Sequence, residues 1–284
     1  MTGCLIKLRE MLDSLPVTER KIALVILDSP DRVADMQIDE IASASGVSAA
    51  SVVRLSKRMG YSGYKDLCRG ISVDLALQRA DIPHEDVYPD SDLETIARSA
   101  CYTDTRAIEN TLAMMDYEQF GRAVDAIVAA PRVDFYGMGS SGIVSQDGSF
   151  KFLRLNKVSI SESDPHYQSI TASTLRPGEV AVLISYSGTT FDTIDTLKAA
   201  KQAGATTISI TKYGSTPLSE LADIRLWVDN SESMLRSSAT GSRIGHLAMI
   251  DMLFAAVSSR LYNSVKPHLD ETQLMLNRKK LHIK

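Results

Sequence analysis

Beyond Pro131 the chain settles into a strict alternation. Five apolar runs, "RVDFYGM" (132–138), "KVSIS" (157–161), "VAVLISY" (180–186), "TTISIT" (206–211) and "IRLWV" (224–228), are separated by segments with helical spacing. Runs this short, rich in β-branched and aromatic residues, suit strands buried on both faces, which occur in parallel sheets. Strands joined by helices predict a doubly wound parallel sheet with helices on both faces. Helices are expected around 143–155 and 166–174, over "TIDTLKAAKQAG" and "PLSELAD", and in the closing segment "SRIGHLAMIDMLFAAVSSRLYN".

The first part of the chain has no such alternation. Residues 1–78 read as short helices, with Pro16 and Thr18 as start signals and Pro30 as a stop. "RADIPHEDVYPDSD" (79–92) is rich in proline and acid and carries no period, so it is assigned as a linker. Two amphipathic helices follow before Pro131. The expected organisation is therefore an all-α domain over 1–78, a linker over 79–92, and an α/β domain over 93–284 with its sheet core at about 131–258.

Within the helical domain, "IDEIASASGVSAASVVRLSKRMG" has the form of a helix-turn-helix: Ile38–Ser45, a turn at Gly46, and a second helix capped by Ser48. At 100° per residue Val52, Leu55 and Met59 share its inner face, leaving Ala50, Ser51, Arg54, Lys57 and Arg58 outward. Small residues at the start of a helix let it enter the major groove, and arginine and lysine further along meet bases and phosphates. The whole chain has 31 basic against 35 acidic residues, yet residues 54–69 hold five cations and one acid. That local face predicts DNA contacts by Ser48, Ala50, Ser51, Arg54, Lys57 and Arg58.

In the α/β domain two strand-to-helix loops are dense in hydroxyls. "GMGSSG" (137–142) spells GxGxxG, with Glu162 about 20 residues on, and so admits a dinucleotide site. "SYSGTT" (185–190) repeats the arrangement one strand pair later. Ligands of open parallel sheets bind beyond the carboxyl ends of the strands, where helix N-termini attract anions. A dinucleotide does not need a second hydroxyl nest. One compact phosphate bracketed by Ser140, Ser141, Ser185, Ser187 and Thr190 does, and this is the reading adopted.

"GMGSSG", "ISYSGTT", "AKQAGATTISIT" and "STPLSELAD" together resemble the sugar isomerase (SIS) domain, a phosphosugar-binding module. "VSAASVVRLSKRMGYSGYKDL" is similar to the helix-turn-helix of RpiR/MurR-type transcription regulators, and "SDPHYQ" and "ESMLRSSATGSRIGHLAMIDMLF" resemble further segments of that family. The resemblance covers most of the chain. It implies a cytoplasmic regulator that binds operator DNA through one domain and a sugar-phosphate effector through the other, as a homodimer or homotetramer. Tyr186 and Thr189 depart from the residues common in the family, which leaves the sugar open.

SIS domains also serve aldose-ketose isomerases, which need an acid/base residue. Glu162, His166, Glu232 and His246 are the candidates; Glu232, with Arg236 near it, is placed in the ligand site as a binding group. No spacing demands catalysis, and the DNA-binding domain accounts for the pocket without it. The expectation is a sensor with no catalytic residue and no cofactor; the alternative is a phosphosugar isomerase with an accessory helical domain. Cys4, Cys68 and Cys101 are scattered, so neither a metal site nor a disulfide framework is expected, and no apolar run has membrane-spanning length.

Overall fold

The computed structural model describes residues 3–78, 91–229 and 240–277. Most of the expected linker, 79–90, lies outside the described residues, as do Glu232 and Arg236.

Six helices form the first region: α1 (Cys4–Met11), α2 (Val17–Asp28), α3 (Pro30–Asp35), α4 (Ile38–Ser45), α5 (Ala49–Arg58) and α6 (Tyr64–Gln78). They share one core in which Leu8, Ile22, Ile26, Ile41, Leu55, Leu67 and Ile71 are fully buried. Gln37 and Glu40 form a capping box at the start of α4, and Gly46 ends that helix at φ 63, a left-handed conformation that favours glycine. Ser48 occupies the N-cap position of α5 in an extended conformation, but its hydroxyl makes no cap bond. It faces the Ser51 hydroxyl at 3.1 Å instead.

The second region opens with α7 (Leu93–Ala113) and α8 (Tyr117–Ala129). A parallel sheet follows, built from β1 (Val133–Gly137), β2 (Val180–Ile184), β3 (Thr206–Lys212) and β4 (Ile224–Val228) in the order 1-2-3-4. The helices are α9 (Ser140–Leu153), α10 (Pro165–Ser173), α11 (Phe191–Gln202), α12 (Pro217–Leu221), α13 (Thr240–Arg260) and α14 (Tyr262–Asn277). Alternate side chains of the strands feed two cores. Val133, Phe135, Val182 and Ile184 pack with α8, α9 and α13 on one face. Tyr136, Ala181 and Leu183 pack with α10, α11 and α12 on the other. The fold is thus α/β and doubly wound behind a helical domain.

"KVSIS" is a partial correction. It forms no ladder and touches β1 through a single bridge, Arg132 to Val158. Even so, the Val133 and Phe135 amides donate to the carbonyls of Val158 and Ile160 at 2.9 Å each. A side-chain oxygen of Asp134 takes the Ile160 amide at 3.0 Å. Lys157 and Ser159 turn inward to backbone carbonyls, so polar side chains take the place of a regular edge strand.

This segment fixes where the sheet changes direction. Counted as an edge strand, it makes the order second-first-third-fourth-fifth, the flavodoxin-like arrangement. The switch point then falls between β1 and β2, where such sheets bind ligands.

Candidate ligand and DNA sites

β1 and β2 run parallel with Gly137 opposite Ile184, so both hydroxyl loops leave the sheet side by side at the switch point. The β1 loop is tight. A side chain on Gly137 would meet the Ser141 carbonyl oxygen at 2.8 Å, which forces the loop back against the first turn of α9. Ser140 and Ser141 are half-buried, and neither hydroxyl has a hydrogen-bond partner among the described residues. Buried Gln168 braces the loop by donating to the carbonyls of Gly137 (2.9 Å) and Glu162 (2.8 Å). Its own amide oxygen is buried and has no hydrogen-bond partner among the described residues.

The β2 loop is knitted from within. Ser185 is buried and pairs with the Thr190 hydroxyl at 3.0 Å. The Thr189 hydroxyl donates to Ser187 at 2.9 Å, and Ser187 is exposed. Gly188 sits at φ 64, and a side chain there would overlap Thr216 at the start of α12.

Capping separates these two loops from four other helix starts of the domain. Asp92, Asp116, Asp164 and Thr216 each cap a helix through a side-chain oxygen, at α7, α8, α10 and α12. Gly139 and Thr190, before α9 and α11, provide no side-chain cap. The first amides of a helix need acceptors, and the partial positive charge there favours an anion. Among α7 to α12, the two ends without a side-chain cap are the ones bordered by Ser140, Ser141, Ser185, Ser187 and Thr190; at α9 the Ser141 and Gly142 amides already donate to the Met138 carbonyl, at 3.1 and 3.3 Å.

Of the four candidate acid/base groups, Glu162, His166 and His246 lie among the described residues. Glu162 and His166 are exposed at the start of the α10 region. His246 is fully buried in α13, with Nδ1 2.5 Å from the Ser242 carbonyl oxygen. Burial pushes its pKa down to about 4, so the ring is neutral at physiological pH. It packs edge-on against Tyr186, with ring centroids 6.4 Å apart, and is a packing residue. Among the described residues no cluster of His, Cys, Asp or Glu could hold a metal ion.

On α5, Ala50, Arg54, Lys57 and Arg58 face outward. Ser51 does not: it is 3% exposed. Its position one residue before Val52 and four before Leu55 brings it into the buried face, which is wider than the apolar stripe alone. There it accepts a hydrogen bond from the Arg54 guanidinium at 2.7 Å and so holds that side chain in place. Arg58 is only half-exposed and pairs with the buried Glu19 at 2.6 Å. Neither tie shows in the helical period, because one depends on the width of the contact with neighbouring helices and the other comes from α2.

A helix-turn-helix domain followed by a doubly wound domain with two hydroxyl-rich loops at its switch point is the architecture of a ligand-responsive DNA-binding regulator. Comparison with known proteins agrees. Residues 2–78 match the model of the helix-turn-helix domain of the rpiR family, and residues 126–256 match that of the SIS domain. An uncharacterized HTH-type transcriptional regulator of Caldanaerobacter subterraneus is 37% identical over 99% of this chain and 100% of its own length. The regulator YbbH of Bacillus subtilis, also uncharacterized, is 34% identical over 96% of each chain. The chain belongs to the RpiR family of helix-turn-helix transcriptional regulators. Among solved structures, Vibrio vulnificus NanR complexed with ManNAc-6P superposes with a TM-score of 0.62 at 25% identity, covering 98% of this chain and all of that one.

Proposed function

We propose that this regulator senses a phosphosugar, bound with its phosphate between the β1 and β2 loops, and reports it to operator DNA held by α5. The observation that carries this is the pair of uncapped helix ends at the switch point, ringed by hydroxyls. Ser140, Ser141, Ser185, Ser187 and Thr190 donate to the phosphate together with the Ser140 amide of α9 and the first amides of α11. Gln168, with its orphaned oxygen beside the β1 loop, suits a sugar hydroxyl. The ManNAc-6P complex of NanR favours an N-acylated hexose phosphate as the first ligand to try. Glu232 remains a proposed ligand contact.

On α5, Ala50, Arg54 and Lys57 are the groups that face DNA directly, with Ser48 at the helix start. Ser51 supports Arg54 from the packed side, and Arg58, which faces outward beside them, is tied to Glu19. Two such helices in a homo-oligomer would meet half-sites about one DNA turn, ~34 Å, apart or a multiple of it. The exposed Ile143, Phe150 and Leu153 on one side of α9 support self-association, since an apolar strip of this kind is an interaction surface. No group is assigned a catalytic role, and a cytoplasmic site of action follows from the DNA-binding function.

Titration calorimetry with ManNAc-6P, glucose 6-phosphate and inorganic phosphate tests the cradle. Sugar phosphates should bind, and Ser185→Ala with Ser187→Ala should weaken them at least about tenfold, as expected when charge-assisted hydrogen bonds are lost. Unchanged affinity in the double variant, or isomerase turnover of any of these sugars, would defeat the proposal.

A further inference from the structure

Helix α1 does not face solvent on all sides; it is seated on the ligand-binding edge of the second domain. Its Glu10 accepts a 2.5 Å hydrogen bond from the hydroxyl of Tyr186, which lies 176 residues away. Tyr186 stands between Ser185 and Ser187, so its backbone is part of the anion loop while its side chain leaves that loop for the other domain. The same seat continues onto the next loop. Lys7 of α1 lies over the ring of Tyr213, 5.4 Å from its centroid, and that ring packs on Trp227. Tyr213 also packs against the core of the helical domain, and Met11 lies close to Gly214.

The two loops under α1 are also tied to each other. The Lys212 amide donates to the Tyr186 carbonyl at 2.9 Å, and the Leu218 amide donates to the Gly188 carbonyl at 3.0 Å. Thr216 fills the space beside Gly188. A change in the backbone at Ser185 or Ser187 therefore reaches α1 by two routes, directly through the Tyr186 side chain and through the loop carrying Tyr213. From α1 the helical domain is continuous: Asp74 of α6 holds the amides of Gly3 and Leu5 at 2.8 Å each. α5 belongs to the same core.

We infer that Tyr186, through its hydrogen bond to Glu10, is the relay by which occupancy of the anion loop changes the seating of the DNA-binding domain. The inference rests on the proposed function, because it supposes that a sugar phosphate fills the loop. Its chemistry is simple. Hydroxyls that turn toward a phosphate pull on the backbone either side of Tyr186, and one phenol–carboxylate bond is made or lost in response. Ligand binding and domain seating are then one coupled equilibrium, and the coupling must be reciprocal. Glu10 and Tyr186 touch neither DNA nor ligand in this scheme; they are positioning residues.

Two measurements on the full-length chain test it. The first uses no ligand: melting temperatures of Glu10→Ala, Tyr186→Phe and the double variant. A direct contact makes the losses non-additive, so the double variant should melt close to the worse single one. The second measures DNA affinity, on a duplex selected from a random pool, with and without saturating ManNAc-6P. The wild-type chain should change its affinity by about five-fold or more, within the usual range of coupling between sites. In each single variant that ratio should fall clearly below the wild-type value, the route through Tyr213 carrying what remains, while calorimetry shows ManNAc-6P still bound. Should one variant fail to fold, the other carries the test alone. Additive melting losses, or ratios matching the wild type in both variants, overturn the relay. A wild-type chain that binds no sugar phosphate overturns the sensing function and the relay with it, yet the ligand-free non-additivity would still appear, so the two failures are distinct.

Discussion

Gly46 and Gly188 have almost the same backbone, φ 63 and 64, and sit at the turning points of the two proposed sites. Their surroundings differ completely. No atom outside the turn lies within 4 Å of where a side chain on Gly46 would be, whereas one on Gly188 would overlap Thr216. The helix-turn-helix needs glycine only for a backbone angle. The anion loop needs it for the angle and for the approach of a loop from the next strand. One site is local; the other is assembled from distant segments.

Substitution by alanine should separate the two cases. Gly188→Ala should cost about 2–4 kcal/mol, from left-handed strain together with overpacking against Thr216. Gly46→Ala should cost ~1 kcal/mol, the conformational part alone. Chemical denaturation measures both, and equal losses would erase the distinction.

A second contrast concerns the arginines of α5. Arg58→Ala leaves the Glu19 carboxylate, 3% exposed, without its cation. A stability loss of about 1–2 kcal/mol is expected, less than for a fully buried pair because Arg58 is half in solvent. Arg54→Ala should leave stability within ~0.5 kcal/mol, yet weaken operator binding and lower its salt dependence by about one ion. Fluorescence anisotropy across a salt series reads the second effect. If both variants lose only DNA affinity, Arg58 is a direct contact after all.

Ser185→Ala should be milder for the fold. It removes the partner of the Thr190 hydroxyl at a cost of about 1 kcal/mol, and it should reduce sugar-phosphate affinity while sparing DNA binding in the absence of ligand. Loss of DNA binding in that variant would show that the two sites are not separable.

The smallest expected effect is one of pH. Burial pushes the Glu10 carboxyl up to about 7, opposed by its bond to Tyr186; Asp229 raises it further, while Lys212 and Arg9 lower it. The folded chain therefore holds a proton that the unfolded chain releases near 4.5. The resulting contribution to stability is complete below about 4.5 and is lost as pH rises through about 7. Buried His246, whose ring packs edge-on against Tyr186, acts in the opposite sense, with stability falling as pH drops from 6.5 toward about 4. Melting temperature against pH, compared between the wild-type chain and Glu10→Ala, isolates the first. Identical profiles would place Glu10 outside the buried contact.

Much of this architecture could be read from residue order. The bounds Ile38–Ser45 of the first helix of the motif follow from spacing and from Gly46, and both hydroxyl loops stand out as polar knots after apolar runs. The edge segment "KVSIS" could not be read as well. Its alternation is that of a strand, but Lys157 and Ser159 spend their side chains on backbone carbonyls, and the link to β1 is one bridge with the Val133 and Phe135 amide bonds in place of a ladder. Ser51 departs from the outward face for a related reason. Helical period gives an angle around the axis, whereas burial depends on how broadly α2 and the other neighbours cover the helix.

By itself, then, the order of residues determined the local terms: which segments are helices or strands, where each turns, and which loops carry hydroxyls. Those follow from backbone sterics and periodicity, which act over a few residues. The tertiary structure alone decided what lies across a gap in the chain. It left α9 and α11 uncapped side by side, closed Thr216 against Gly188, and set Glu10 under Tyr186. Contacts of that kind depend on the packing of whole elements, which no short window of sequence records.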